Sequence, residues 1–213
     1  MKIAVLGAVG NVGSRVVNEA LSRGHNVTAV VRDRAQFDTL PANVQRYAAD
    51  VGDRNAIANL SAGQDVVINA TRPASRQEGC VDATTEGLMD GLAESGVRLL
   101  VVGGAATLTV PGTGGKTVLE DENFLPVAAR HVGNASARQF DVCLAEKRVD
   151  WVYLSPPAQL APGVRTGVYR TGSDELLLDE NGRSAISMED LAVALLDEAE
   201  SPKHHRERFT VAY

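Results

Sequence analysis

A short apolar run, Lys2-Ile3-Ala4-Val5-Leu6, leads directly into Gly7-Ala8-Val9-Gly10-Asn11-Val12-Gly13. Glycines at G-x-x-G-x-x-G spacing let a chain leave a strand, turn sharply and enter a helix without Cβ clashes. The helix then opens with unpaired backbone N–H groups and the positive end of its dipole, an arrangement that binds phosphate. Gly7, Gly10, Asn11, Val12 and Gly13 are therefore the expected cradle for the pyrophosphate of a dinucleotide. The spacing departs by one residue from the G-x-G-x-x-G fingerprint, and a glycine turn between strand and helix also serves structure alone in other α/β folds, so the reading depends on its context.

That context begins with Asn26-Val27-Thr28-Ala29-Val30-Val31, a β-branched run bounded by Gly24-His25 and by Arg32-Asp33-Arg34. In a dinucleotide-binding unit the end of the second strand meets the adenosine ribose. A carboxylate there accepts from a 2′-hydroxyl, whereas the planar donor fork of Arg32 suits a 2′-phosphate. Arg32 favours NADP(H) over NAD(H), while Asp33 keeps a carboxylate available for NAD(H).

Such a cradle has to be held by a parallel sheet. Val44 to Ala48 reads as a short extended piece, Asp53 to Leu60 as a polar helix, Asp65 to Asn69 as a strand, Val81 to Glu94 as a helix and Val97 to Val102 as a strand. Continuous apolar strands alternating with helices imply an α/β fold of Rossmann type: a doubly wound parallel sheet with helices on both faces and right-handed crossovers. Ligands in such sheets bind beyond the carboxyl ends of the strands. Residues 103–134, rich in Gly, Pro and Thr, interrupt the rhythm and are expected to form a flap over the site.

A helix from Ala135 to Lys147 should lead to a sixth strand, Trp151 to Leu154, that stops at Ser155-Pro156-Pro157. Beyond it we expect a strand over Thr166 to Arg170, a pairing piece at Leu176 to Leu178, a helix from Ser187 to Glu200 and a final strand from Arg208 to Val211. Ser187 is placed to cap its helix, with Asp190 at the capping-box position. The expected organisation is a single domain over 1–213, with a nucleotide-binding core at 1–154 and a small substrate cap with the final strand at 155–213.

Composition narrows the function classes. A chain of 213 residues with 21 basic and 27 acidic side chains carries a net charge of −6, which disfavours nucleic acid as a partner. No stretch approaches the roughly 20 apolar residues of a membrane span, and the apolar run before Gly7 is too short for a signal peptide. The expectation is a cytoplasmic protein, monomeric or homodimeric, acting on a small-molecule acceptor without a membrane. Cys80 and Cys143 are far apart and lack a C-x-x-C or histidine partner pattern, so we expect packed thiols and no metal site.

Together with the glycine turn, Val31-Arg32-Asp33, Ala49-Asp50-Val51-Gly52-Asp53 and Asp65-Val66-Val67-Ile68-Asn69-Ala70 resemble the atypical short-chain dehydrogenases/reductases. Asp150-Trp151-Val152-Tyr153-Leu154-Ser155-Pro156-Pro157-Ala158, Pro162-Gly163-Val164-Arg165-Thr166-Gly167 and Ile186-Ser187-Met188-Glu189-Asp190-Leu191-Ala192 extend the resemblance over nearly the whole chain. Within that group they resemble the NAD(P)H-binding flavin reductases, near biliverdin reductase B and the NmrA-like proteins. The resemblance implies that Gly10, Asn11 and Val12 contact the pyrophosphate, Arg32 the 2′-phosphate, and Asp50 with Val51 the adenine edge. It places Ala70, Thr71 and Arg72 near the ribose and nicotinamide. Asp50 is equally suited to forming a turn ahead of a helix.

Ordinary members of the superfamily use Tyr-x-x-x-Lys, in which the lysine activates the tyrosine for proton exchange with a carbonyl. Four positions after Tyr47, Tyr153 and Tyr169 stand Val51, Pro157 and Ser173, and Tyr213 is the last residue. Cys143 and Lys147 have the spacing but sit at the far end of their helix. After the fifth strand, Gly103-Gly104-Ala105 offers no hydroxyl before Thr107. A flavin or quinone accepts hydride on its ring and can take a balancing proton from solvent, so positioning suffices for it.

His131 is the best candidate acid, or else simply a residue of the flap or helix start. Gly104, Pro156 and Pro157 are expected as apolar walls against which a planar ligand rests. With aromatic residues only 4% of the chain, FMN or another flavin is expected as a weakly held substrate rather than a bound prosthetic group. The expected function is NADPH-dependent reduction of a flavin or quinone-like acceptor. The alternative is a catalytically inactive, NmrA-like NADP(H) sensor acting through a protein partner. An epimerase or dehydratase that recycles its nucleotide ranks third.

Overall fold

Ile3, Ala4, Val5 and Leu6 are wholly buried in β1 (Lys2–Leu6), as a strand covered on both faces must be. It pairs in parallel with β2 (Asn26–Val31) on one side and β4 (Val66–Asn69) on the other. The computed structural model describes residues 1–72 and 80–213. Around this centre stand β3 (Gln45–Ala48), β5 (Arg98–Val102), β6 (Trp151–Ser155), β8 (Arg170–Gly172) and β10 (Glu207–Ala212), in the order β3-β2-β1-β4-β5-β6-β10-β8. Every pairing is parallel except β10 with β8. A separate parallel pair joins β7 (Gln159–Ala161) to β9 (Ala185–Ser187).

The alternating side chains of the strands feed two cores, because successive residues point to opposite faces. Ile3, Val5, Ile68, Leu100 and Val152 pack under α1 (Asn11–Ser22) and α5 (Met188–Glu200). Leu6, Val67, Leu99, Trp151 and Tyr153 pack under α2 (Arg54–Ser61), α3 (Cys80–Ser95) and α4 (Arg130–Ala145). The chain is thus the doubly wound α/β fold expected of it. Among the described residues, no helix is long and apolar enough to cross a membrane.

The segment after residue 155 does more than sit over a site. Its last strand, β10, extends the main sheet beside β6, and α5 lies along α1. The strand expected over Thr166 to Arg170 is displaced to Arg170–Gly172. The buried carboxylate of Asp190 accepts the N–H groups of Thr166 and Gly167, both at 2.8 Å, and Gly167 has a φ of 72°. These backbone groups are therefore committed to a loop. Ser187 does cap α5, accepting the Asp190 N–H at 2.9 Å, but the Asp190 side chain serves Thr166, Gly167 and Tyr213 instead of closing a capping box. The pairing piece at Leu176 to Leu178 reduces to an isolated bridge between Glu175 and Thr109.

The helix expected from Ala135 starts five residues earlier, at Arg130. Gly133, which reads as part of a loop, lies inside α4, where a Cβ would stand 2.6 Å from Leu125. The loop before it is a packed element: Leu108, Val110 and Val118 are buried with Leu176 in a small core of their own.

Candidate functional site

Gly7 leaves β1 with a φ of 75°, a conformation that favours glycine. Its N–H and that of Ala8 both donate to the Val30 carbonyl at 3.1 Å, and the Gly10 N–H closes the turn on the Gly7 carbonyl at 2.9 Å. A Cβ on Gly13 would stand 2.1 Å from that same Gly7 oxygen, so the third glycine lets the first turn of α1 lie directly on the loop. Gly10 is the N-cap, no side chain caps the helix, and its first turn holds no acidic residue. The N–H groups of Asn11, Val12 and Gly13 are left facing out of the turn, where an anion satisfies them.

The cradle opens into one continuous cleft of about 980 Å³ along the carboxyl ends of the strands. At one end the cleft is bordered by Arg32, Gln36, Asp50 and Val51. Arg32 is exposed there with no hydrogen bond or ion pair to the described residues. Asp33 does not line the cleft: its carboxylate accepts the Ala35 N–H at 2.9 Å and caps the 3₁₀ turn over Arg34–Thr39. Asp50 lines the cleft while one of its oxygens accepts the Gly52 N–H at 2.8 Å, so it is both a turn former and a site wall.

At the centre, Ala70, Thr71 and Arg72 follow β4 into the cleft. Asn69, buried at the strand end, fixes this bend by accepting from the Thr71 N–H at 3.1 Å and the Thr71 hydroxyl at 2.6 Å. Asn69-x-Thr71 is a local turn signal that the sequence carries.

The far end lies between β5, β6, α3 and α4. Gly104, Pro156 and Pro157 line it, with Phe124 and Leu125 from the flap and Ser136 and Gln139 from α4. Gly103 is required by packing, since a Cβ there would fall 2.0 Å from the Tyr153 ring. The Tyr153 hydroxyl accepts the Gly104 N–H at 3.1 Å and donates to the Ser136 carbonyl at 3.0 Å. Burial pushes its pKa upward, so this phenol is a neutral strut behind the wall. The Thr107 hydroxyl accepts from Arg208 at 2.7 Å, away from the cleft. Among the described residues, the ionisable side chains that line the cleft are Arg32, Asp50 and Arg72.

The structure places His131, the expected candidate acid, outside the cleft wall. It sits exposed in the first turn of α4, its Nδ1 is 3.0 Å from the Ala128 carbonyl, and it does not line the cleft. Because α4 begins at Arg130, the helical period turns Val132, Ser136 and Gln139 toward the cleft and leaves His131 facing away. Of the cysteines, Cys143 is a packed thiol whose pKa burial pushes up to about 12. The side chain of Cys80 lies outside the described residues.

With this geometry in hand, residues 7–202 match the family model described as NAD(P)H-binding. Three solved structures are similar over the full chain. A candidate exported protein of Burkholderia pseudomallei is 42% identical with a TM-score of 0.87, covering 100% of both chains. A candidate epimerase of Bacteroides thetaiotaomicron is 39% identical with a TM-score of 0.89, covering 100% of this chain and 96% of that one. A candidate NADH-flavin reductase of Streptococcus pneumoniae is 28% identical with a TM-score of 0.84, covering 100% of this chain and 99% of that one.

Proposed function

We propose that this chain, which belongs to the NAD(P)H-binding family, uses NADPH to reduce a flavin or quinone-like acceptor. The observation that carries the reading is the make-up of the far end of the cleft. Its described walls are glycine, proline, aliphatic, phenylalanine, hydroxyl and amide groups, with no Tyr, Lys, His or Cys facing in. A carbonyl substrate or an epimerisation centre needs a positioned acid or base, whereas a flavin or quinone ring can draw its proton from water.

The residues fit a dinucleotide, since the uncapped start of α1 suits its pyrophosphate and the Gly7 turn leaves no room for a side chain where the loop passes Ala70 and Thr71. Bound there, the cofactor supplies a hydride. The chain's own groups do the rest. The N–H groups of Asn11 to Gly13 hold the phosphates, and Arg32, free because Asp33 is spent on its cap, takes the 2′-phosphate. Asp50 and Val51 border the adenine, Thr71 holds the bend beside the ribose, and Gly104, Pro156 and Pro157 give a flat apolar wall for the acceptor. This favours NADP(H) over NAD(H).

The test is oxidation of NADPH followed by nicotinamide absorbance with FMN, riboflavin or a small quinone as acceptor, beside direct titration of NADPH and NADH. Acceptor-dependent turnover establishes the reductase. Tight NADPH binding with no turnover on any acceptor refutes it and favours the sensor.

A further inference from the structure

Gln139 is only 4% exposed and lines the cleft from α4, yet its amide makes no hydrogen bond within the protein. Buried polar groups are nearly always paired; the Gln139 amide has no partner among the described residues and opens into the cleft, where a bound ring can pair it. Its immediate company does not supply a partner. The Ser136 hydroxyl, on the same face of α4, donates to the Gly133 carbonyl at 2.9 Å, and the Thr85 hydroxyl donates to the Val81 carbonyl at 2.8 Å. The α4 helix is held in place beside the cleft by Arg138, whose Nε donates to Asp82 of α3 at 3.0 Å. Gln139 is thus carried on a helix anchored to α3 and makes no hydrogen bond of its own with the described residues.

A carboxamide presents an N–H donor and a C=O acceptor side by side. Its complement is a ring edge that offers an adjacent C=O and N–H, the imide edge of a flavin's pyrimidine ring. An isolated quinone carbonyl engages only the donor half. We propose that Gln139 binds and orients the acceptor by pairing with an imide edge, and thereby makes the site select flavin-type over quinone-type acceptors. This assignment rests on the reductase reading above and adds a specificity residue to it.

The experiment compares wild type with Gln139→Leu, which keeps the volume and removes both hydrogen-bonding groups. Riboflavin is titrated into the NADP⁺-saturated protein by flavin fluorescence, and steady-state rates are measured with riboflavin and with a small naphthoquinone. Loss of two neutral hydrogen bonds predicts a rise of about tenfold in both the Kd and the KM for riboflavin. The quinone KM should rise by no more than about threefold, since at most one of the two bonds is at stake. NADPH affinity should hold, and the melting temperature should stay level or rise because no internal bond is lost.

Unchanged riboflavin affinity, or equal losses for flavin and quinone, or a lowered melting temperature with all ligands weakened, overturns the assignment. So does a wild type that binds no riboflavin. A wild type that turns over no acceptor, but whose riboflavin binding still needs Gln139, ends the reductase reading and leaves the Gln139 assignment standing. Flavin turnover that is indifferent to Gln139→Leu does the reverse.

Discussion

Replacing Arg32 by glutamate tests the cofactor assignment without touching the fold. Arg32 is exposed at the cleft edge and bonds to no described protein group, so its substitution removes no internal contact. A charge-assisted hydrogen bond at a solvated site contributes about 1.5 kcal/mol. A carboxylate facing the 2′-phosphate adds repulsion of about 1 kcal/mol in a well-hydrated setting. The sum of about 2.5 kcal/mol corresponds to a roughly 70-fold weaker Kd for NADPH, and Arg32→Ala should lose about tenfold. NADH, lacking the phosphate, should bind within about twofold of wild type, and added salt should shrink the NADPH effect. Isothermal titration of both nucleotides into wild type, Arg32→Ala, Arg32→Glu and Asp33→Asn measures this. Asparagine preserves the oxygen that caps the Ala35 N–H, so Asp33→Asn should leave the NADPH to NADH ratio unchanged. An unaltered ratio in Arg32→Glu, or a selective loss of NADH in Asp33→Asn, would refute the reasoning.

Gly13→Ala forces a Cβ to 2.1 Å from the Gly7 carbonyl oxygen. Backbone has to move to admit it, so we expect a cost of about 2 kcal/mol, read as a drop of about 4–8 °C in the melting temperature; an unchanged melt would mean the helix and loop do not pack as described. A second stability test concerns Glu198. Burial raises its carboxyl pKa, but hydrogen bonds from Arg98, His204 and the Lys203 and His204 N–H groups outweigh this and hold it below the ordinary value. The folded carboxyl therefore binds a proton less readily than the unfolded one, and its stabilisation is present above the unfolded pKa of about 4.3 and drains away as pH falls below it. Glu198→Gln should cost about 2 kcal/mol at neutral pH and progressively less in acid, so the gap between the two denaturation curves narrows as pH falls below about 4.3. A constant gap across the pH range would remove the linkage.

Much of this architecture was legible because the signals were local. β1 and β2 run where their apolar stretches begin and end, and Ser187 caps α5 from its own sequence neighbourhood. The glycine turn was legible for the same reason: Gly7, Gly10 and Gly13 stand within seven positions of each other. The departures arise where distant contacts override local preference. Gly133 reads as a loop residue until Leu125 and Leu119 are packed against it. Thr166 to Arg170 reads as a strand until Asp190, on α5, takes the N–H groups of Thr166 and Gly167. Asp33 reads as a free carboxylate until its cap is seen.

By itself the sequence determined the alternation of strands and helices, the anion-binding turn after β1 and the charge at the end of β2, since each depends on neighbours along the chain. Only the tertiary structure decided which side chains share the cleft. The start of α4 at Arg130 sets the helix phase, and that phase turns His131 outward and brings Gln139 to the wall. Gly133 of α4 in turn packs against Leu125 and Leu119 of the flap, contacts between elements that no periodicity in the chain encodes.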